Sequence, residues 1–128
     1  MTRETRKFIP MRQVAFGLLV STLAFAHHGL ARFDTTHVVS LEGTVTSFEW
    51  IQPHATIHAD LKDEHGKVRN WLLELGSPTM LARHGWSPDS LKYAEHITVS
   101  GYAAKDGSPY MAVGKVWLAN GTTLPGAP

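Results

Sequence analysis

The chain has 128 residues, no cysteine and a formal net charge of +1 with histidines neutral. That length suits one domain resting on a real apolar core, and the missing cysteines exclude a disulfide framework, a thiolate metal site and a lipid-anchored lipoprotein. Beyond residue 26, eight basic residues stand against ten acidic ones, a net −2 that argues against nucleic acid as a partner.

The first segment carries Arg3, Arg6, Lys7 and Arg12 against the single acid Glu4, followed by an apolar run from Val14 to Ala26. This is the charged-then-apolar layout of a secretory signal peptide. Ala24-Phe25-Ala26 places small residues where a signal peptidase reads, so residues 1–26 are expected to be removed and His27 exposed. The expected location is periplasmic or secreted, with membrane contact only during export. The alternative is an uncleaved anchor, but the run is about a dozen residues against the ~20 of a comfortable transmembrane helix.

Residues 27–37 form an N-terminal segment before the first predicted strand, Val38 to Trp50. There the apolar residues shift from odd positions (Val39, Leu41, Val45) to even ones (Phe48, Trp50), which predicts a bulge near Thr46-Ser47. Pro53 then marks an edge or corner. The second strand, His54 to Lys62, alternates Ala55, Ile57, Ala59 and Leu61 with His54, Thr56, His58 and Asp60. Asp63-Glu64-His65-Gly66 is a tight turn, with Gly66 suited to the left-handed position.

The third strand, Val68 to Leu75, puts Trp71, Leu73 and Leu75 on one face and Asn70, Leu72 and Glu74 on the other. Ser77-Pro78 caps a short helix that Gly85 can end, and Ser87-Pro88-Asp89-Ser90 repeats the start signal for one further turn. His96 to Ala103 and Tyr110 to Leu118 are the last two strands, joined by the turn Lys105-Asp106-Gly107-Ser108. Residues 120–128 read as a flexible polar tail. Three strands, a short helix and two strands, with a bent first strand, are the order of a mainly β, five-stranded OB-like barrel over residues 38–119. Another small open barrel or sandwich on the same meander is the runner-up, and neither fold by itself gives a function.

Ala26-His27-His28-Gly29, Phe33-Asp34, Gly43-Thr44-Val45, Pro53-His54, Glu74-Leu75-Gly76-Ser77-Pro78, Arg83-His84-Gly85-Trp86, Asp89-Ser90-Leu91-Lys92 and Ala104-Lys105-Asp106-Gly107-Ser108 occur in that order. Together they resemble a family of small exported bacterial proteins defined only as a domain of unknown function. The resemblance spans nearly all of the chain after residue 26 and implies export and a β-barrel-like domain, with no established activity. Members open on His-His-Ser and carry Asn-Pro-His, where this chain has Gly29 and Gln52.

Cleavage before His27 frees an α-amine whose ordinary pKa of roughly 7.7–8.0 leaves a deprotonated fraction near neutrality. That amine and the His27 ring can chelate one metal, with His28 or a distant histidine such as His54 completing the set. Such nitrogen ligands suit Cu(II) best, ahead of Ni(II) and Zn(II), so copper is the expected cofactor if a metal binds. The competing reading is a mobile terminus left by a permissive cleavage site.

His54 and His58 share a strand face, but four residues span about 13 Å at ~3.3 Å each, too far to share one metal with ligands ~2 Å away. His54 therefore remains the candidate. Glu74 is a candidate metal ligand, orienting partner for a histidine or general base; the competing reading is a solvent-facing or salt-bridged strand residue, with Arg83 as a candidate partner. Trp50 and Trp71 can stack on a ligand ring or simply pack. No catalytic residues are assigned, because no nucleophile elbow, His-Glu-x-x-His or phosphate loop is present. The expected function is a small-ligand or copper-type metal-binding module. The alternatives are an envelope protein-interaction module without metal and, third, a copper-dependent oxidoreductase.

Overall fold

A computed structural model describes residues 29–126. The export signal, with its expected helix, and His27-His28 lie outside the described residues. Among the described residues no helix is long and apolar enough to cross a membrane.

Strands β1 (Val39–Glu49), β2 (Thr56–Lys62) and β3 (Val68–Glu74) form an antiparallel meander. The short helix α1 (Pro78–Ala82) follows, and then β4 (His96–Ala103), β5 (Tyr110–Leu118) and β6 (Thr123–Pro125). The first half of β1 pairs with β4 and its second half with β2, so one long strand serves two neighbours by bending. Parallel pairing of Leu72–Glu74 with Tyr110–Ala112 closes the five-stranded barrel expected from the order of elements.

The bend has a local cause. The β1–β2 register slips between Val45 and Ser47, leaving Thr46 as the extra residue of a bulge. Just before it, Gly43 lies so close to the Asp60 carbonyl that a Cβ there would collide with backbone. Period-two alternation then fills the interior. Ile57, Ala59 and Leu61 of β2, Leu73 of β3, Ile97 and Val99 of β4, and Met111 and Val116 of β5 are fully buried.

The Ser77 side chain accepts from the Met80 N–H at 3.3 Å, Pro78 opens the helix, and Gly85 follows it at φ 93°. Leu81, Trp86 and Leu91 from this region join the core. The Ser87–Ser90 segment is a turn rather than a second helical turn. The Ser90 N–H donates to the Ser87 carbonyl at 3.0 Å, and the Ser87 N–H to Ser90 Oγ at 2.8 Å. Ala94, at φ 64°, turns the chain away from helical geometry before β4.

The segment after Leu118 differs from the flexible tail the sequence suggests. Thr123, Leu124 and Pro125 pair with Trp117, Val116 and Lys115, and Leu124 is buried. The Pro125 carbonyl accepts from Trp86 Nε1 at 2.7 Å, and the Gly126 carbonyl accepts from the Gly76 N–H at 2.7 Å. The Asn120-Gly121 turn and Pro125 read as coil, yet here Pro125 lies on an edge strand, where it is tolerated.

Candidate functional site

His54 lies in the connection between β1 and β2. The ladder continues past the strand ends, with the Ala55 N–H donating to the Gly76 carbonyl at 3.1 Å and the Leu75 N–H to the Ala55 carbonyl at 2.9 Å. Because Thr56 stands opposite Glu74, His54, two residues earlier, falls on the same face as a diagonal neighbour of Glu74. His54 Nδ1 comes 3.7 Å from Glu74 Oε1, with both side chains partly exposed. Among the described residues the salt bridge to Arg83 considered for Glu74 does not form; the side chain facing its carboxylate is the His54 ring.

Barrel closure brings a further residue. Leu72 pairs with Tyr110 and Glu74 with Ala112, so Tyr110 also lies diagonally from Glu74, and its hydroxyl donates to Glu74 Oε2. Burial, and then this contact with a carboxylate, push the Tyr110 pKa above its ordinary value, because both disfavour the phenolate. The Arg32 guanidinium lies 5.0 Å from the centroid of the same ring.

Arg32 belongs to the N-terminal segment, which is pinned to the barrel. Phe33 is 1% exposed, bridges to Ala104 and packs at a tilt against Tyr110 with centroids 4.9 Å apart. The Asp34 N–H donates to the Ala103 carbonyl at 2.9 Å, and the Lys105 N–H to the Arg32 carbonyl at 2.9 Å. Lys105 Nζ donates to the Ala31 carbonyl at 2.9 Å. Asp34 ties off the turn. Hydrogen bonds from the Thr36 hydroxyl and N–H, and then from His37, hold its carboxyl at a pKa of about 2.

Pinned in this way, the segment runs back from Phe33 until Gly29 and Leu30 line a cavity of about 340 Å³ together with His54, Glu74, Ser77 and Met80. His54 makes no hydrogen bond among the described residues. With Nδ1 turned to a carboxylate, its Nε2 is the nitrogen left to bind a metal or an acceptor, the usual division of labour in a carboxylate–histidine–metal arrangement. Among the described residues no group of three or more histidine, aspartate or glutamate side chains converges on one metal position. His54 and Glu74 thus supply part of a site, and His27 and His28 lie outside the described residues.

The other candidates disperse. Trp71 is buried in the core at the middle of β3 and does not line this cavity. Trp50 packs edge-on against Phe48, centroids 5.9 Å apart, and does not line it either. His58 is half-buried on β2 opposite Leu72. His65 sits 3.5 Å from Glu64 in an exposed turn, and His84 Nδ1 lies 2.9 Å from the Met80 carbonyl oxygen. Tyr110, Arg32 and Phe33 had no local sequence signal as site residues, since only the β3–β5 closure brings them to Glu74.

No curated protein and no solved structure matches the chain. Residues 17–112 match the family of unknown function DUF6152, which takes in β1 to β4, the pinned segment, His54, Glu74 and Tyr110, and the chain belongs to that family.

Proposed function

We propose that this chain is an exported metal-binding module, copper-type in its ligand chemistry, that uses His27, His28 and His54 around the cavity beside Glu74. The observation carrying this reading is that Gly29 lines the same cavity as His54 and Glu74. His28 is joined to Gly29 by one peptide bond and His27 by two, at most ~7 Å of extended chain. The sequence feature most suited to chelating Cu(II) therefore adjoins His54, a half-exposed histidine that faces a carboxylate.

The chemistry is assigned to this chain's own groups. The α-amine and ring of His27 provide two nitrogens, with His28 and His54 Nε2 adding more, while Glu74 offsets the cation's charge and holds the His54 ring. Neutral imidazole and amine are required, so apparent affinity falls as pH drops through ~6.5. The deciding experiment is copper titration of protein beginning at His27, beside a form with one extra residue before His27 and beside His54→Ala. Weaker binding by both variants is expected. Equal affinity in all three removes the N-terminal chelate and His54 together.

A second reading, an envelope interaction module without metal, rests on Leu30 and Met80, exposed apolar residues lining the same cavity. It predicts that Leu30→Ser abolishes capture of a periplasmic partner while His54→Ala leaves that capture intact.

A further inference from the structure

β3 carries a second feature at its other end. Arg69, Trp71 and Leu73 share the inward face by the period of two. Arg69 stands opposite buried Leu61, and its guanidinium lies 5.4 Å from the centroid of the Trp71 ring. A charged residue therefore occupies an interior-facing position where the barrel opens, its stem covering apolar surface.

The polar bookkeeping there is incomplete. Arg69 Nη1 donates to the Gly107 carbonyl at 3.3 Å, but buried Arg69 Nε has no acceptor. Trp71, 5% exposed, likewise leaves its buried Nε1–H without one. An unsatisfied buried donor costs about 1–3 kcal/mol, so two neighbouring ones need an explanation. Both residues line a cavity of about 450 Å³, whose other walls include Val38, Leu41, Ala104 and Ser108. That volume lies within the ~300–1,000 Å³ of small-molecule sites, and an apolar wall with few convergent donors is their usual make-up.

We propose that this cavity binds a small apolar molecule ending in a carboxylate. The Nε side of a guanidinium is the fork that takes the two oxygens of a carboxylate, and the ring lying 5.4 Å from this guanidinium carries a further unpaired donor, the indole N–H, in the lining of the same cavity. No carboxylate of the described residues forms an ion pair with Arg69. Two acids, Asp63 and Glu64, also line the cavity; Asp63 is engaged by the N–H groups of His65 and Lys67, both at 2.9 Å, and Glu64 faces the His65 ring at 3.5 Å. Val38, 68% exposed, widens the apolar surface at the mouth for the ligand's tail. Five residues of β3, roughly 16 Å, separate Arg69 from Glu74, so this site is independent of the one at His54.

The test is an NMR titration of the ¹⁵N-labelled full chain with octanoate, beside octan-1-ol as the uncharged match. The Trp71 indole resonance is assigned by its loss in Trp71→Phe or, should that variant not fold, by cross-relaxation to Leu61 and Arg69. Octanoate is expected to move that resonance saturably, with octan-1-ol binding at least about tenfold more weakly. Arg69→Gln should weaken octanoate by about tenfold and leave octan-1-ol unchanged. A stationary Trp71 resonance, equal binding of the two probes, or octanoate binding unaffected by Arg69→Gln would each overturn the proposal.

Discussion

Phe33 packs against Tyr110 with ring centroids 4.9 Å apart and the rings tilted by 60°, and the same Tyr110 donates its hydroxyl to Glu74. One ring thus joins the N-terminal segment to the carboxylate beside His54. Phe33 lies outside the main core cluster, yet it is almost fully buried, so its apolar surface is spent on holding residues 29–34 against the barrel.

Phe33→Ala should therefore act twice. Removal of a buried phenylalanine costs about 3 kcal/mol, read as a lower urea midpoint. It also releases Gly29 from the cavity, so copper affinity should fall even under conditions where the variant is fully folded. Phe33→Leu, which keeps most of the volume, should restore both measurements in large part. A variant that loses stability but keeps full affinity would separate the anchor from the site.

Much of the barrel was legible in the sequence, because local periodicity and caps determine it. The alternation over Ala55–Leu61 gives the buried face of β2, the phase change from Val45 to Phe48 gives the Thr46 bulge, and Ser77-Pro78 gives the start of α1. What escaped depends on pairing between distant segments. Tyr110 reaches Glu74 only through the parallel β3–β5 closure, and β6 is visible only once β5 offers an edge. Phe33 is a single aromatic in an irregular segment, with no period to mark it. Arg69 is not singled out in the sequence, although strand parity with Trp71 and Leu73 turns it inward. Both members of the pair at the candidate site were legible, His54 after Pro53 and Glu74 among its apolar neighbours; that they face each other required the register.

Tyr110→Phe tests the link from the other side. Losing a hydrogen bond to a carboxylate near the surface should cost about 1 kcal/mol. The pH dependence is more diagnostic. Below the ordinary value of 10.0, folded and unfolded states both keep the phenol proton, and Tyr110 adds no slope. Above 10.0 the unfolded chain releases it first, because burial and Glu74 raise the folded pKa, so stability falls as pH climbs toward that raised value. Urea midpoints should show this alkaline decline in the native chain and a shallower one in Tyr110→Phe. Identical slopes would mean that Tyr110 does not titrate differently on folding.

Gly43→Ala should be far more damaging than Gly114→Ala. A Cβ on Gly43 meets the Asp60 carbonyl of the neighbouring strand, and backbone cannot yield as a flexible side chain does. The strand pair must separate beside the Thr46 bulge, which costs about 3 kcal/mol or more. At Gly114 the nearest atom is the Ser100 carbonyl oxygen at 3.5 Å, an ordinary contact. Thermal melts of both variants would check this, with Gly114→Ala expected to stay close to the native chain.

Glu74→Gln separates two roles for the carboxylate at the proposed copper site. If Glu74 orients His54 through Nδ1, the amide still offers an oxygen acceptor and only the charge is lost. Copper affinity should then drop by about 10–100-fold, the range for second-sphere partners of metal-binding histidines. His54→Ala, which removes a ligand nitrogen, should cost more than Glu74→Gln, and the double variant should cost little beyond His54→Ala, since Glu74 acts through the ring it holds. Additive losses would instead make Glu74 a ligand in its own right. That outcome would redraw the site around oxygen as well as nitrogen donors, and would flatten the loss of affinity below pH ~6.5 that an all-nitrogen set requires.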